Sequence, residues 1–194
     1  MNIRKTLSSV ALAVITLTGA GAANAALLDG KTLRYQYLFS NLSSTCGAGQ
    51  NATVGAGLEF AANSTDNCGS GNPVRDWFSV DVSDTAIYVR FTEDADFSNT
   101  SFNGFRLTDV NGTIAAFTGL SLLDERGPFT GSRLSFDANN IWFNFAGLDF
   151  DGSGENVDFI RVGVRAATVP EPGTLALLGL GLAGFGLARR RRPS

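Results

Sequence analysis

The chain has no histidine in its 194 residues, a single methionine and only two cysteines. Without histidine, no side chain has an ordinary pKa near neutrality. There is no imidazole to act as general base, to ligate a metal or to complete a Ser-His-Asp arrangement. No Gly-x-Ser-x-Gly turn occurs to expose a serine nucleophile. No cofactor is expected. Basic residues are scarce in the middle of the chain. Arg4, Lys5 and the four terminal arginines account for six of the fifteen Lys and Arg, whereas only Glu171 of the eighteen acids lies near an end. Residues 26–168 therefore carry nine cations against seventeen acids, a net charge of −8. An acidic domain without a basic stripe is repelled by nucleic acid and by anionic lipid heads, so nucleic acid is set aside as a partner. The same stretch shows neither a helical amphipathic pattern nor an internal repeat.

The long apolar runs that the middle lacks are found at the two ends. Arg4 and Lys5 precede an uncharged stretch from Leu7 to Ala20, followed by Ala23-Asn24-Ala25 and Ala26. A basic start, a short apolar run and small residues two apart form the pattern of a secretory signal peptide. The run is shorter than the ~20 residues of a spanning helix. Cleavage by signal peptidase is expected between Ala25 and Ala26.

At the other end stand Val169-Pro170-Glu171-Pro172-Gly173, an uncharged Leu/Gly/Ala stretch from Thr174 to Ala188, and Arg189, Arg190, Arg191 and Arg192. Pro170 and Pro172 hold the backbone extended. The apolar stretch is expected to form a short transmembrane helix, lengthened by snorkelling arginine stems. The arginines resist translocation and act as a stop. The order of these parts resembles the PEP-CTERM protein-sorting domain, over about residues 169–192. The resemblance implies recognition by an exosortase, a membrane transpeptidase-like enzyme, near Pro170, Glu171 and Pro172. The family occurs in Gram-negative bacteria that make exopolysaccharide, and its members belong to the cell envelope or the extracellular matrix. Three regions are thus expected: a signal peptide over 1–25, an extracytoplasmic domain over 26–168 and a sorting signal over 169–194.

The middle region reads as all-β. Residues 33–39 form an aromatic-rich strand. Residues 77–82 and 86–91 alternate, placing Phe78, Val80 and Val82 on one face, and Ile87, Val89 and Phe91 on another. Asn111-Gly112 predicts a hairpin of 105–110 with 113–117, and Asn139-Asn140 one of 134–138 with 141–145. Residues 157–164 form the last strand, with Ile160, Val162 and Val164 inward. Short alternating strands joined by tight turns predict one antiparallel β-sandwich, jelly-roll-like or immunoglobulin-like. Cys46 and Cys68 lie in Gly/Asn/Ser-rich sequence between predicted strands. In an exported chain they are expected to form a disulfide.

Three groups are candidate sites. Asp149, Asp151 and Ser153 match the first ligand positions of an EF-hand-type loop, with Asp158 as a further carboxylate, but Ile160 occupies the closing position. The competing reading is an acidic hairpin turn between the last two strands. Glu93-Asp94-Ala95-Asp96 forms a second acidic cluster, which is either half of an ion site or a solvated loop. Trp77, Trp142, Tyr35, Tyr37 and Tyr88 could form a stacking platform for sugar rings or pack in the core. The leading expectation is an exported surface or matrix protein without enzymatic activity. An exopolysaccharide-binding module comes second, and a secreted hydrolase using carboxylates alone comes third.

Overall fold

The computed structural model describes residues 26–62, 68, 77–167, 179, 181 and 182. The expected signal peptide and most of the sorting signal lie outside the described residues. Gly179, Gly181 and Leu182 are helical. Among the described residues, no helix is long and apolar enough to cross a membrane.

The described chain is built from strands: β1 (Thr32–Ser40), β2 (Thr45–Thr53), β3 (Phe78–Ser83), β4 (Ala86–Phe91), β5 (Ala95–Asp96), β6 (Phe102–Asp109), β7 (Phe117–Arg126), β8 (Leu134–Phe136), β9 (Asn140–Asn144), β10 (Asp149–Phe150) and β11 (Phe159–Ala166). One sheet has the order β2-β1-β6-β9-β8, and the other β3-β4-β11-β7. A two-stranded ribbon pairs β5 with β10. Each pairing is antiparallel.

Strand alternation determines which side chains meet between the sheets. Leu33, Tyr35 and Tyr37 of β1, Phe105 and Leu107 of β6, and Ile141 and Phe143 of β9 are buried in the core. They join Phe78, Val80, Val82, Ile87, Val89, Phe91, Ile160, Val162 and Val164 from the other sheet. Phe105 sits at the junction. Its ring stacks on Phe143 at 4.6 Å and Tyr35 at 5.2 Å within its own sheet, and on Phe78 of the facing sheet at 5.6 Å. Burying one such ring contributes about 1.5–3 kcal/mol. A second aromatic group closes the end of the core at the β5–β10 ribbon. There Phe150 stacks on Phe91 at 3.9 Å, and Phe97 meets Phe145 at 5.0 Å.

Three elements depart from the sequence expectation. Asn111-Gly112 does not close a hairpin. β6 and β7 belong to different sheets, and residues 110–116 cross between them. The Asp109 carboxylate holds this crossover by accepting the N–H groups of Asn111 (3.2 Å) and Ile114 (2.9 Å). Asn-Gly specifies a local backbone reversal, with Gly112 at φ 62°. It does not specify which strands pair. β2 was not expected, because its sequence Thr-Cys-Gly-Ala-Gly-Gln-Asn-Ala-Thr has weak strand propensity. It forms an exposed edge whose register with β1 shifts between Tyr35 and Tyr37. Gly49 is required there, since a Cβ would lie 2.7 Å from the Tyr35 carbonyl at φ 69°. Finally, residues 151–158 are not a hairpin turn between the last two strands. β10 pairs with β5, while β11 lies between β4 and β7.

Candidate functional site

The sorting residues Pro170, Glu171, Pro172, Arg189, Arg190, Arg191 and Arg192 lie outside the described residues, as do Ala23 and Ala25 of the leader. Ala26 is described and exposed. Cys46 and Cys68 are joined in a disulfide, 22 residues apart in sequence. Cys46 is not between strands, as its surroundings suggested, but buried within β2. The bridge ties that glycine-rich edge to the chain leading into β3.

The two acidic clusters, far apart in sequence, meet at the ribbon end. Asp149 of β10 stands directly opposite Asp96 of β5. Repulsion from Asp96, with some desolvation and a hydrogen bond to the same residue, raises the Asp149 carboxyl above the usual range. Asp94 is held below that range, because its carboxylate accepts the Ser153 hydroxyl (2.9 Å) and the Gly152 N–H (3.1 Å), against slight desolvation. Asp158 is buried, and its Oδ2 accepts the Asp151 N–H at 2.9 Å. Its own N–H donates to the Asp151 carbonyl at 2.6 Å. The proposed loop ligands therefore turn to different partners. Asp149 faces Asp96, Ser153 donates to Asp94, and Asp158 closes the loop on itself. Among the described residues, no group of three Asp, Glu, Cys or His is placed to hold a metal ion. Nor do Asp96 and Asp149 fit a glycosidase pair. They are direct cross-strand neighbours on a two-stranded ribbon, whereas that chemistry needs carboxyl groups about 5–9.5 Å apart across a cleft.

The candidate sugar platform does not assemble. Tyr35 and Tyr37 are core residues. Tyr37 donates its hydroxyl to Asn103 Oδ1 at 2.6 Å, and burial pushes its pKa far up. Trp77 packs edge-on against Phe97 at 5.4 Å. Trp142 lies on the outer face of the first sheet, in a cross-strand row with Gln36, Arg106 and Ser135. Its Nε1, like Arg106 Nε, is shut away from solvent without a hydrogen-bond partner among the described residues. A shallow groove of about 470 Å³ borders this sheet, lined by Asn41, Arg133, Ser135 and Asn144 among others.

Tyr88 is partly buried, as Trp77 and Trp142 are, and lies beside a groove on the outer face of the second sheet. Register builds that face in rows across β3, β4, β11 and β7. One row is Ser79, Arg90, Phe159 and Arg126, and the next is Asp81, Tyr88, Arg161 and Asp124. Ala86 and Gly163 lie side by side beyond them. The Tyr88 and Phe159 rings touch at 5.7 Å, and the Arg126 guanidinium lies 5.9 Å from the centre of the Phe159 ring. A groove of about 320 Å³ runs beside Tyr88, bounded by Asp81, Ser83, Ala86 and Arg161. Leu123, 53 % exposed, leans over Gly163. A Cβ at Gly163 would come within 3.2 Å of it. Sequence reasoning missed this group because its members come from four strands. The available signal was the outward register of β4 and β11, positions 88 and 90 and positions 159, 161 and 165.

No curated protein and no solved structure matches the chain. The body is assigned to no family, but residues 168–192 match the PEP-CTERM protein-sorting motif, which implies export, processing by an exosortase and a place in the envelope or on the surface.

Proposed function

We propose that this chain is a non-catalytic protein of the bacterial surface or extracellular matrix, delivered by exosortase sorting, with the β-sandwich as the displayed part. The PEP-CTERM match at residues 168–192 carries the reading. In this scheme signal peptidase removes residues 1–25. The apolar stretch 174–188 then parks the chain in the membrane, with Arg189 to Arg192 as the stop. Pro170 and Pro172 keep the recognition segment extended, so it enters a peptidase cleft without unwinding a helix.

Replacing Pro170, Glu171 and Pro172 together by alanine tests this in a host with an active exosortase. Hydrophobicity and terminal charge are unchanged, so membrane insertion should persist while processing and release stop. Replacing Arg189 to Arg192 by neutral residues should instead weaken retention. Normal processing of the triple-alanine chain would leave only a plain anchor. Amino-terminal sequencing of the exported form should begin at Ala26, and recovery of Met1 would refute leader cleavage.

A further inference from the structure

We infer that the outer face of the β3-β4-β11-β7 sheet binds an acidic polysaccharide, with Tyr88 as the stacking surface and Arg161, Arg90 and Arg126 as the carboxylate contacts. Charge distribution is the first argument. Residues 26–168 have a net charge of −8, yet four of their nine cations, Arg90, Arg126, Arg161 and Arg165, project from this one face. The two central strands, β4 and β11, contain no acid. No ion pair occupies Arg90, Arg161 or Arg165 among the described residues. A local excess of guanidinium on an otherwise acidic protein is complementary to an anionic ligand, and the planar fork suits carboxylate.

The second argument is the form of the groove. Tyr88, partly buried, lines the groove beside a floor of Ala86. Ala86 is small, so a flat ring can approach the sheet closely there, whereas Ser121 and Leu123 cover the outward side of Gly163. Asp81, Ser83 and Arg161 border the groove with acceptors and donors. An aromatic face with polar groups at its rim fits a sugar ring, whose C–H face is apolar and whose hydroxyls point outward. Arg90 and Arg126 flank Phe159 on the neighbouring strands, about 10 Å apart across the sheet. That spacing lets one chain engage more than one charged substituent. The inference rests on the surface reading only for where such a ligand is met. Binding is measured on purified protein and sorting in cells, so either can fail alone.

The test is affinity electrophoresis of the exported protein through gels containing polygalacturonate, neutral dextran or neither. Polygalacturonate should retard the protein and dextran should not. Tyr88→Ala and Arg161→Gln, with folding checked by thermal melting, should each weaken the apparent affinity about tenfold. Arg161 is exposed on its strand, so its variant tests binding even if the tyrosine variant folds poorly. Trp142→Ala, on the other sheet, should leave retardation unchanged. Lack of retardation by polygalacturonate overturns the proposal, as does loss with Trp142→Ala alone. Equal competition by duplex DNA, with Tyr88→Ala binding normally, would reduce the face to a general polyanion surface and also overturn it. Salt-reversible self-association blocking the same face would point to a second copy of the chain and overturn it likewise.

Discussion

The two sheets share a core but differ in the faces turned away from it. On the first sheet, the outward side chains are largely engaged with their own chain. Gln36 is buried and donates to the Cys46 carbonyl at 2.8 Å, Thr108 donates to Asn140 at 2.7 Å, and Trp142 Nε1 and Arg106 Nε are shut off from solvent. On the second sheet, Tyr88 and Arg161 line a groove with Ala86, while Phe159, Arg90 and Arg126 stand in the neighbouring row. Tryptophan is the residue type most expected to mark a binding surface, yet here Trp77 packs on Phe97 and Trp142 has its Nε1 shut off from solvent. Accessibility of the polar edge, not residue type, distinguishes the two faces.

Four measurements would break or sharpen this comparison. Phe105→Ala removes the ring that joins both sheets. It should cost about 3–5 kcal/mol and lower the melting temperature of the whole domain in one transition. Two separate transitions would show that the sheets do not share a core. Converting Cys46 and Cys68 to serine should act on the first sheet alone. About 3 kcal/mol is lost in the chain-entropy model, and amide exchange should accelerate first in β2. Uniform acceleration in both sheets would contradict that localisation. Asp158→Ala acts on the second sheet, at the loop entering β11. Removing the buried acceptor of the Asp151 N–H should cost about 1–3 kcal/mol, measured by urea titration. An unchanged midpoint would mean that the loop closes without it.

The smallest effect concerns the ribbon between the sheets. The Asp149 carboxyl is raised by Asp96, so its ionised form is disfavoured in the folded chain. Its contribution is destabilising at neutral pH and is relieved as pH falls through its raised pKa. Asp149→Asn should therefore melt slightly higher than the parent at pH 7, and the gap should close in acid. Asp94 has the opposite sign. Its lowered pKa contributes stability above the unfolded value, which is lost as pH falls through the folded one. A parent that melts higher than Asp149→Asn at neutral pH would show that the facing carboxylates do not repel.

Two turn signals of similar type had different outcomes, which shows where sequence reading stops. The hairpin expected at Asn139-Asn140 forms between β8 and β9, with residues 137–139 as the link and Asn140 already in β9. Asn111-Gly112 instead carries the chain from one sheet to the other. Both are compatible with a tight reversal. What separates them is the burial of Ile114 and Phe117, which draws the second segment toward the facing sheet. The acidic segments 93–96 and 149–158 were legible as clusters but not as neighbours, since the two-residue strands that pair them are too short to show a period.

The sequence by itself determined the strand alternation that fills the core, the number of cysteines able to bridge and the sorting motif of the tail. These depend on residues close together in the chain, whose spacing sets which side of a strand they occupy. The tertiary structure decided that β2 forms an edge, that the two acidic clusters face each other and that Trp142 Nε1 is shut off from solvent. It also gathered Arg90, Arg126 and Arg161 around Tyr88 and Phe159. Those outcomes depend on which strands become neighbours and in what register. Burial of the two inner faces against each other selects that pairing, and no local spacing encodes it.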